Sequence, residues 1–228
     1  MLLVVLTSST SVMQQTRDDS LTQSSRSIPT AYLQGWAWFC GKRIKVNKDV
    51  LIPRADTEVL VDVVKNIIAD CSNVRVLDMC TGSGAVAIAL SEFAMVEGCD
   101  VCEKALAVAR MNGVNCFQSD MFSNVTKKYD IIVCNPPYIK TNEIGLEDPG
   151  ILHEPRKALD GGEDGLEFYR ILSAKAEKFC DTLVLEIGYN QAKEVVNLLE
   201  NNNWCNILVY EDMAGRDRVI CAERARKN

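Results

Sequence analysis

The feature that most constrains the fold of this chain is a regular alternation of short apolar runs and helical segments. The apolar runs predict strands at residues 74–79, 96–101, 114–119, 130–135, 182–187, 206–212 and 218–224. Helical segments are predicted at residues 84–94, 103–112, 163–179 and 190–202. Such alternation is typical of an α/β fold with a parallel twisted sheet, whose ligands bind at the carboxyl ends of the strands. Only a short turn separates the last two strands, so the final strand is predicted to be antiparallel.

Smaller units are predicted ahead of this sheet. Residues 1–27 are rich in Ser, Thr and Gln and are expected to be flexible. Residues 28–52 form a β-hairpin extension, because the segment from Tyr32 to Val50 alternates aromatic and polar positions between glycine turns. Three aromatic residues are expected to pack the hairpin against the main domain, residues 53–228: Trp36, Trp38 and Phe39. The main domain begins with an amphipathic helix that follows Pro53.

A loop of small residues, which we call the glycine loop, follows the first predicted strand of the sheet. It comprises residues 80–84, with the sequence Cys-Thr-Gly-Ser-Gly. Glycines let a ligand approach the backbone closely, and the helix that follows presents free N–H groups. Asp100 lies about 20 residues further along, the spacing at which a carboxylate binds ribose hydroxyls. The pattern Gly-x-Gly-x-x-Gly is absent, which argues against a dinucleotide site.

The sequence Asn-Pro-Pro-Tyr at residues 135–138, which we call the tetrapeptide motif, follows another apolar run. An amide or exocyclic base nitrogen is a poor nucleophile because its lone pair is delocalised. The Asn135 carboxamide oxygen and the Pro136 carbonyl can accept both N–H hydrogens and aim that lone pair. Tyr138 offers a flat face to a planar group. The order of these features, with the glycine loop first, Asp100 next and the tetrapeptide motif last, indicates a class I S-adenosylmethionine-dependent methyltransferase. Such an enzyme has a Rossmann-like seven-stranded sheet.

Composition narrows the class of protein further. The net charge of -6 argues against a wide nucleic-acid-binding surface, so no direct DNA binding is expected. The ten cysteines lack regular spacing and are typical of reduced thiols in the cytoplasm. With His153 as the single histidine, no metal site is predicted. The apolar run at residues 1–6 is short and lacks a preceding basic region, and no stretch is long enough to span a membrane.

From Ile28 onward the chain resembles the peptide chain release factor glutamine methyltransferases, the PrmC or HemK family. Beyond the glycine loop and the tetrapeptide motif, the matching segments are residues 31–35, 50–54, 56–58, 154–166, 185–188 and 214–218. The Glu-Pro-Arg and Asp-Gly-Gly stretches within residues 154–162 are the most family-specific. Family members usually carry a helical N-terminal domain that helps dock the release factor, whereas here a short Ser/Thr-rich segment precedes Ile28. That segment is interpreted as flexible or truncated.

The resemblance implies transfer of a methyl group from S-adenosylmethionine to the glutamine nitrogen of the Gly-Gly-Gln motif in class 1 release factors. It implies cofactor contacts from Cys80, Thr81, Gly82, Ser83, Gly84, Asp100, Met121, Asn135, Arg54 and Thr57. The implied substrate-binding residues are Asn135, Pro136, Pro137 and Tyr138, of which Asn135, Pro136 and Tyr138 are catalytic. Direct displacement is expected, without a metal, a covalent enzyme intermediate or a catalytic role for His153.

Two other functions remain open from the sequence. An adenine-N6 nucleic-acid methyltransferase uses the same tetrapeptide motif on a flipped base. Alternatively, the chain is a cofactor-binding homologue that is inactive or depends on a partner chain.

Overall fold

The structure of the protein is a computed structural model, which describes residues 28–146 and 149–225. Within these residues the chain forms a two-stranded hairpin, β1 (Trp36–Phe39) and β2 (Lys42–Lys45), and a seven-stranded sheet. The strands of the sheet are β3 (Arg75–Met79), β4 (Met95–Asp100), β5 (Cys116–Gln118), β6 (Ile131–Cys134), β7 (Thr182–Glu186), β8 (Trp204–Glu211) and β9 (Asp217–Arg224). The helices are α1 (Thr30–Gln34), α2 (Glu58–Ile68), α3 (Ala85–Leu90), α4 (Glu103–Met111), α5 (Glu167–Lys175) and α6 (Ala192–Glu200).

The strand order in the large sheet is β5-β4-β3-β6-β7-β9-β8. Strands β3 to β7 pair in parallel, whereas β9 lies between β7 and β8 and is antiparallel to both. The predicted seven-stranded α/β sheet with an antiparallel last strand is therefore confirmed, as is the small hairpin ahead of it. None of the helices in the described ranges is long and apolar enough to cross a bilayer.

Two hydrophobic layers cover the sheet, one on each face. All four residues of β6 are buried, and their side chains alternate between the layers: Ile131 and Val133 join one cluster, while Ile132 and Cys134 join the other. The first cluster includes buried residues of α2, α3, α4 and the hairpin; the second includes those of α5 and α6. Because a parallel strand covered on both faces buries every side chain, it appears in the sequence as a continuous apolar run.

The hairpin region differs from its prediction in two ways. Its first residues form helix α1, which ends at Gly35, whose φ of 79° places it in the left-handed region that suits a helix C-terminus. The aromatic side chains also divide between two faces, because successive side chains of a strand point in opposite directions. Phe39 is buried as expected, but Trp38 is 62% exposed, so its predicted packing role is wrong. Trp36 is half-buried and contacts the Trp38 ring edge-on.

The helix predicted at residues 163–179 begins four residues late, at Glu167. Gly162 and Gly165 both have positive φ values, 89° and 75°, which a right-handed helix does not accommodate. The chain ahead of α5 instead forms a loop against the end of the tetrapeptide motif. There Ile139 N donates to Leu159 O, and Gly161 N donates to Ile139 O. The prediction of flexibility for residues 1–27 lies outside the described residues.

Candidate active site

The glycine loop turns the chain sharply from β3 into α3. Cys80, Gly82 and Gly84 have φ values of 61°, 54° and 82°, all in the left-handed region. Thr81 N donates to Cys99 O on the neighbouring strand, at 3.0 Å. The loop is therefore fixed at the carboxyl ends of β3 and β4, where the sequence predicted a ligand site.

Asp78, which the sequence analysis did not assign to the site, ties this turn together. Its Oδ2 accepts hydrogen bonds from Thr81 Oγ1 at 2.6 Å and from Ala87 N at 3.1 Å. The carboxyl group is buried, and burial raises its pKa to about 7 against these two hydrogen bonds. The available signal was an acidic residue inside the apolar run of β3, since an isolated buried carboxylate is costly unless it has partners.

Asp100 lies at the end of β4, directly beside the glycine loop. Its Oδ2 accepts a hydrogen bond from Gly82 N at 3.0 Å, and its Oδ1 accepts one from Cys102 N at 2.8 Å. Burial raises the pKa of Asp100, and the backbone hydrogen bonds from Cys102 and Gly82 oppose that rise. Each carboxylate oxygen has a second lone pair that can accept a hydroxyl hydrogen, which is the geometry that ribose binding requires.

A cavity of about 280 Å³, which we call the first cavity, opens above these residues. Nine of the ten predicted cofactor residues line it: Arg54, Thr57, Cys80, Thr81, Gly82, Ser83, Asp100, Met121 and Asn135. Gly84 does not line it. A Cβ atom at Gly84 would lie 2.5 Å from Val114 Cγ2, so this glycine allows the helix to pack closely instead. Phe39, Asp78 and Phe168 also line the cavity, although sequence reasoning missed them.

The tetrapeptide motif lies between the first cavity and a second cavity of about 480 Å³. Asn135 lines both cavities, whereas Pro137 faces the first, and Pro136 and Tyr138 face the second. The Asn135 amide nitrogen donates to Thr57 Oγ1 at 3.3 Å. An amide that borders both cavities can contact molecules bound on either side.

Glu186, at the end of β7, is the buried carboxylate of the second cavity. Its Oε1 accepts a hydrogen bond from the Tyr138 hydroxyl at 3.3 Å, and among the described residues no group hydrogen-bonds to its Oε2. Burial raises the pKa of Glu186 to about 7, although the Thr57 hydroxyl and the Arg218 charge lower it. Burial and the Glu186 charge in turn raise the pKa of Tyr138 well above its ordinary value. Sequence reasoning gave Glu186 no role, although it ends an apolar strand.

Three ion pairs, made by Arg218 and Arg54, hold the segments around the second cavity. Arg218 Nη2 contacts Asp212 Oδ2 at 3.0 Å and Asp56 Oδ2 at 3.3 Å, which joins the turn before β9 to the segment before α2. Arg54 pairs with the buried Glu154, whose Oε2 also accepts a hydrogen bond from Ile52 N at 2.9 Å. The predicted cofactor residue Arg54 is thus anchored by a buried carboxylate that lines neither cavity.

Comparison with known proteins identifies the family. A family model described as "Methyltransferase small domain" matches residues 54–160. A release factor glutamine methyltransferase of Thermodesulfovibrio yellowstonii is 40% identical over 216 residues, which cover 87% of this chain and 77% of that protein. The chain belongs to the release factor glutamine methyltransferase family.

Two further relatives support the assignment to this family. The Fusobacterium nucleatum release factor glutamine methyltransferase is 37% identical over 227 residues, which cover 92% of this chain but only 64% of that protein. The solved protein-(glutamine-N5) methyltransferase (release factor-specific) of Alicyclobacillus acidocaldarius is 27% identical, with a TM-score of 0.50 over 80% of this chain and 99% of that chain. The resemblance inferred from the sequence motifs is therefore confirmed.

S-adenosylmethionine is the cofactor of this methyltransferase family, and the residues of the first cavity fit it. Asp100 supplies an acceptor for ribose hydroxyls, and the Gly82 backbone is open enough that an added Cβ would meet only Cys80 O, at 3.9 Å. Met121 adds an apolar side chain at the same cavity. Among the described residues, no group of His, Cys, Asp and Glu side chains is arranged to hold a metal ion, and His153 lines neither cavity.

Proposed function

We propose that this enzyme methylates the side-chain nitrogen of the glutamine in the Gly-Gly-Gln motif of class 1 peptide chain release factors. The observation that carries the proposal is the position of Asn135, which borders the cofactor cavity on one side and the second cavity on the other. A glutamine amide held at this boundary has its nitrogen next to the cofactor. The relatives named for this reaction support the choice of substrate.

The proposed cofactor contacts follow the first cavity. Asp100 binds the ribose hydroxyls, the glycine loop lies along the methionine and ribose portion, and Met121 lies beside the adenine. Arg54 and Thr57 lie near the methionine end. When bound, S-adenosylmethionine supplies an electrophilic methyl group.

The protein residues act on the substrate amide mainly by positioning it. The Asn135 carboxamide oxygen and the Pro136 carbonyl accept the two N–H hydrogens of the glutamine, which directs the nitrogen lone pair toward the first cavity. Tyr138 lies against the planar amide, and Pro137 stiffens the backbone between them. A protonated amide is a strong acid, so it loses its proton to one of these acceptors or to water without a tuned general base.

The proposed partner is a class 1 release factor, and the expected location is the cytoplasm, where translation ends. We expect a peptide loop of the release factor to enter the second cavity. Its wall carries positive charges (Arg54, Lys140, Arg216 and Arg218) and negative ones (Asp56, Glu143 and Glu186). A wall of mixed charge, together with the net charge of -6, favours a peptide over a nucleic-acid backbone as the substrate.

The test is methyl transfer from labelled S-adenosylmethionine to one of three acceptors: release factor, DNA or RNA. Label on the release factor supports the proposal, and a release factor with glutamate in place of the motif glutamine serves as the matched control. Label on DNA or RNA would instead identify a nucleic-acid methyltransferase. Cofactor binding without label on any acceptor would identify an inactive or partner-dependent homologue.

A further inference from the structure

The orientation of the Asn135 carboxamide decides whether the proposed reaction works. Its oxygen must face the substrate, since a substrate N–H group can donate to an oxygen but not to another NH₂ group. In the structure the Asn135 nitrogen donates to Thr57 Oγ1 at 3.3 Å, which leaves the oxygen for the substrate. After a flip, the Asn135 NH₂ group would face the NH₂ group of the substrate glutamine. Both groups only donate hydrogen bonds, so the glutamine would not bind there.

A hydroxyl alone does not fix this orientation. Thr57 can accept a hydrogen bond from the Asn135 nitrogen, or it can donate one to the Asn135 oxygen after a flip. The choice is fixed only if the hydroxyl hydrogen is committed to another acceptor. Thr57 is 4% exposed, so water does not readily supply that acceptor.

Glu186 supplies the acceptor. Its Oε2 is buried and has no hydrogen-bond partner among the described residues, so it is available to accept the Thr57 hydrogen. The Thr57 hydroxyl is also among the groups that lower the pKa of Glu186, which is consistent with the two side chains being neighbours. Above its pKa of about 7 Glu186 is ionised, and an ionised carboxylate accepts hydrogen bonds and donates none. If Thr57 gives its hydrogen to Glu186, the Thr57 oxygen can only accept, and Asn135 must present its nitrogen to it.

The same carboxylate also contacts the other end of the tetrapeptide motif. Glu186 Oε1 accepts the Tyr138 hydroxyl hydrogen at 3.3 Å. If Thr57 donates to Glu186, Asn135 and Tyr138 are both connected to this carboxylate, Asn135 through Thr57 and Tyr138 directly. Arg218 and Asp56 are the other charged groups whose fields act on Glu186.

We propose that Thr57 and Glu186 are positioning residues that lock the Asn135 carboxamide with its oxygen toward the substrate. The inference rests on the proposed function and adds to it. Thr57, which the sequence suggested as a cofactor contact, then acts on the substrate amide through Asn135. Neither residue needs to touch the reacting atoms.

Three variants of the full chain test the lock: Thr57→Val, Thr57→Ser and Glu186→Gln. Valine keeps the shape of threonine without its hydroxyl, serine keeps the hydroxyl, and glutamine can donate a hydrogen to Thr57. We expect kcat on release factor to fall roughly 10- to 100-fold in Thr57→Val and Glu186→Gln, a typical range for lost positioning. In Glu186→Gln the Kd for S-adenosylmethionine should stay within about 2-fold, because Glu186 does not line the first cavity. Thr57→Ser should recover most of the loss in kcat seen in Thr57→Val.

NMR spectroscopy tests the orientation of the Asn135 carboxamide without turnover. In protein labelled with ¹⁵N-asparagine, the Asn135 side-chain NH₂ signals are assigned from their loss in Asn135→Asp. We expect Thr57→Val and Glu186→Gln to shift these signals and speed their hydrogen exchange, and Thr57→Ser to restore them. Ser173→Ala is the matched control, because it removes a buried hydroxyl on α5 that donates to Arg170 O, away from both cavities.

Each outcome decides between the two proposals. Wild-type kcat and unchanged Asn135 signals in a folded Thr57→Val would overturn the lock. If that variant does not fold, Glu186→Gln with wild-type values overturns it in the same way. If the wild-type protein does not label the release factor, the proposed function fails, whereas the Asn135 signals still decide whether Thr57 and Glu186 set the amide.

Discussion

Gly161 lies so close to the backbone of Tyr138 that a Cβ atom at this position would lie 2.7 Å from Tyr138 Cα. The same added atom would lie 2.9 Å from the Pro137 carbonyl oxygen. A backbone–backbone hydrogen bond from Gly161 N to Ile139 O, at 2.8 Å, holds the two segments together. The Asp-Gly-Gly stretch therefore presses directly on the end of the tetrapeptide motif.

Gly161→Ala should displace Tyr138 and lower kcat on release factor by roughly 10-fold or more, since small misplacements at a reacting centre are costly. Affinity for S-adenosylmethionine, measured by calorimetry, should change little because Gly161 does not line the first cavity. Gly113→Ala is the control: its φ of 90° makes alanine strained, but the added Cβ has no neighbour within 4 Å. It should lower stability by about 1–2 kcal/mol and leave kcat intact. Equal kcat in the two variants would contradict the role of Gly161 in positioning Tyr138.

Asn135→Ala should reduce methyl transfer on the order of 100-fold or more, because its oxygen is the proposed acceptor for the substrate amide. Cofactor affinity should remain within about 3-fold, since the first cavity keeps its other contacts. Single-turnover rates and calorimetry on the same preparation separate the two effects. Turnover near that of the wild-type protein would remove Asn135 from the mechanism.

Asp100→Ala should weaken S-adenosylmethionine binding by about 10-fold or more, because charge-assisted hydrogen bonds contribute roughly 1.5–3 kcal/mol. It also removes the acceptor for Gly82 N and Cys102 N, so the glycine loop loses a support. Glu103→Gln, which alters an exposed ion pair with Arg110 nearby, serves as the control. An unchanged Kd in Asp100→Ala would show that the ribose binds elsewhere.

Glu186 and Asp78 should make the folded protein less stable as the pH rises from about 5 to 8. Burial raises the pKa of each carboxyl to about 7, so each holds its proton more tightly in the folded chain than in the unfolded chain. Their contribution to stability is complete below the ordinary carboxyl pKa and is lost as the pH rises through the folded-state value.

Glu186→Gln should therefore flatten the decline in the free energy of unfolding with pH, by on the order of 1–3 kcal/mol between pH 5 and 8. Urea titrations at several pH values provide the measurement, with Glu200→Gln on the exposed face of α6 as the control. The same pH slope in Glu186→Gln and in the wild-type protein would show that Glu186 titrates normally.

Sequence patterns were enough to predict the strands of the sheet and nine of the residues that line the first cavity. Apolar periodicity is a local property, so the runs that became β3, β4, β6 and β7 were visible without tertiary information. The glycine loop and Asp100 were also predictable as neighbours, because adjacent parallel strands bring their carboxyl ends to the same edge. The insertion of β9 between β7 and β8 was not predicted, because a short turn indicates only that the last two strands are antiparallel to each other.

The side chains that support the tetrapeptide motif became visible only once the chain was folded. Thr57 and Asn135 are 78 residues apart in sequence, and Tyr138 and Glu186 are 48 apart, yet each pair forms a hydrogen bond. Nothing in local periodicity specifies such contacts, since they depend on strand order and on where α2 begins above the sheet. The exposure of Trp38 also depends on the tertiary structure. Aromatic rings are usually buried, but Trp38 lies on the face of β1 that is turned toward solvent. The neighbours of a side chain are set by how distant elements pack together, and those contacts form only when the chain has folded.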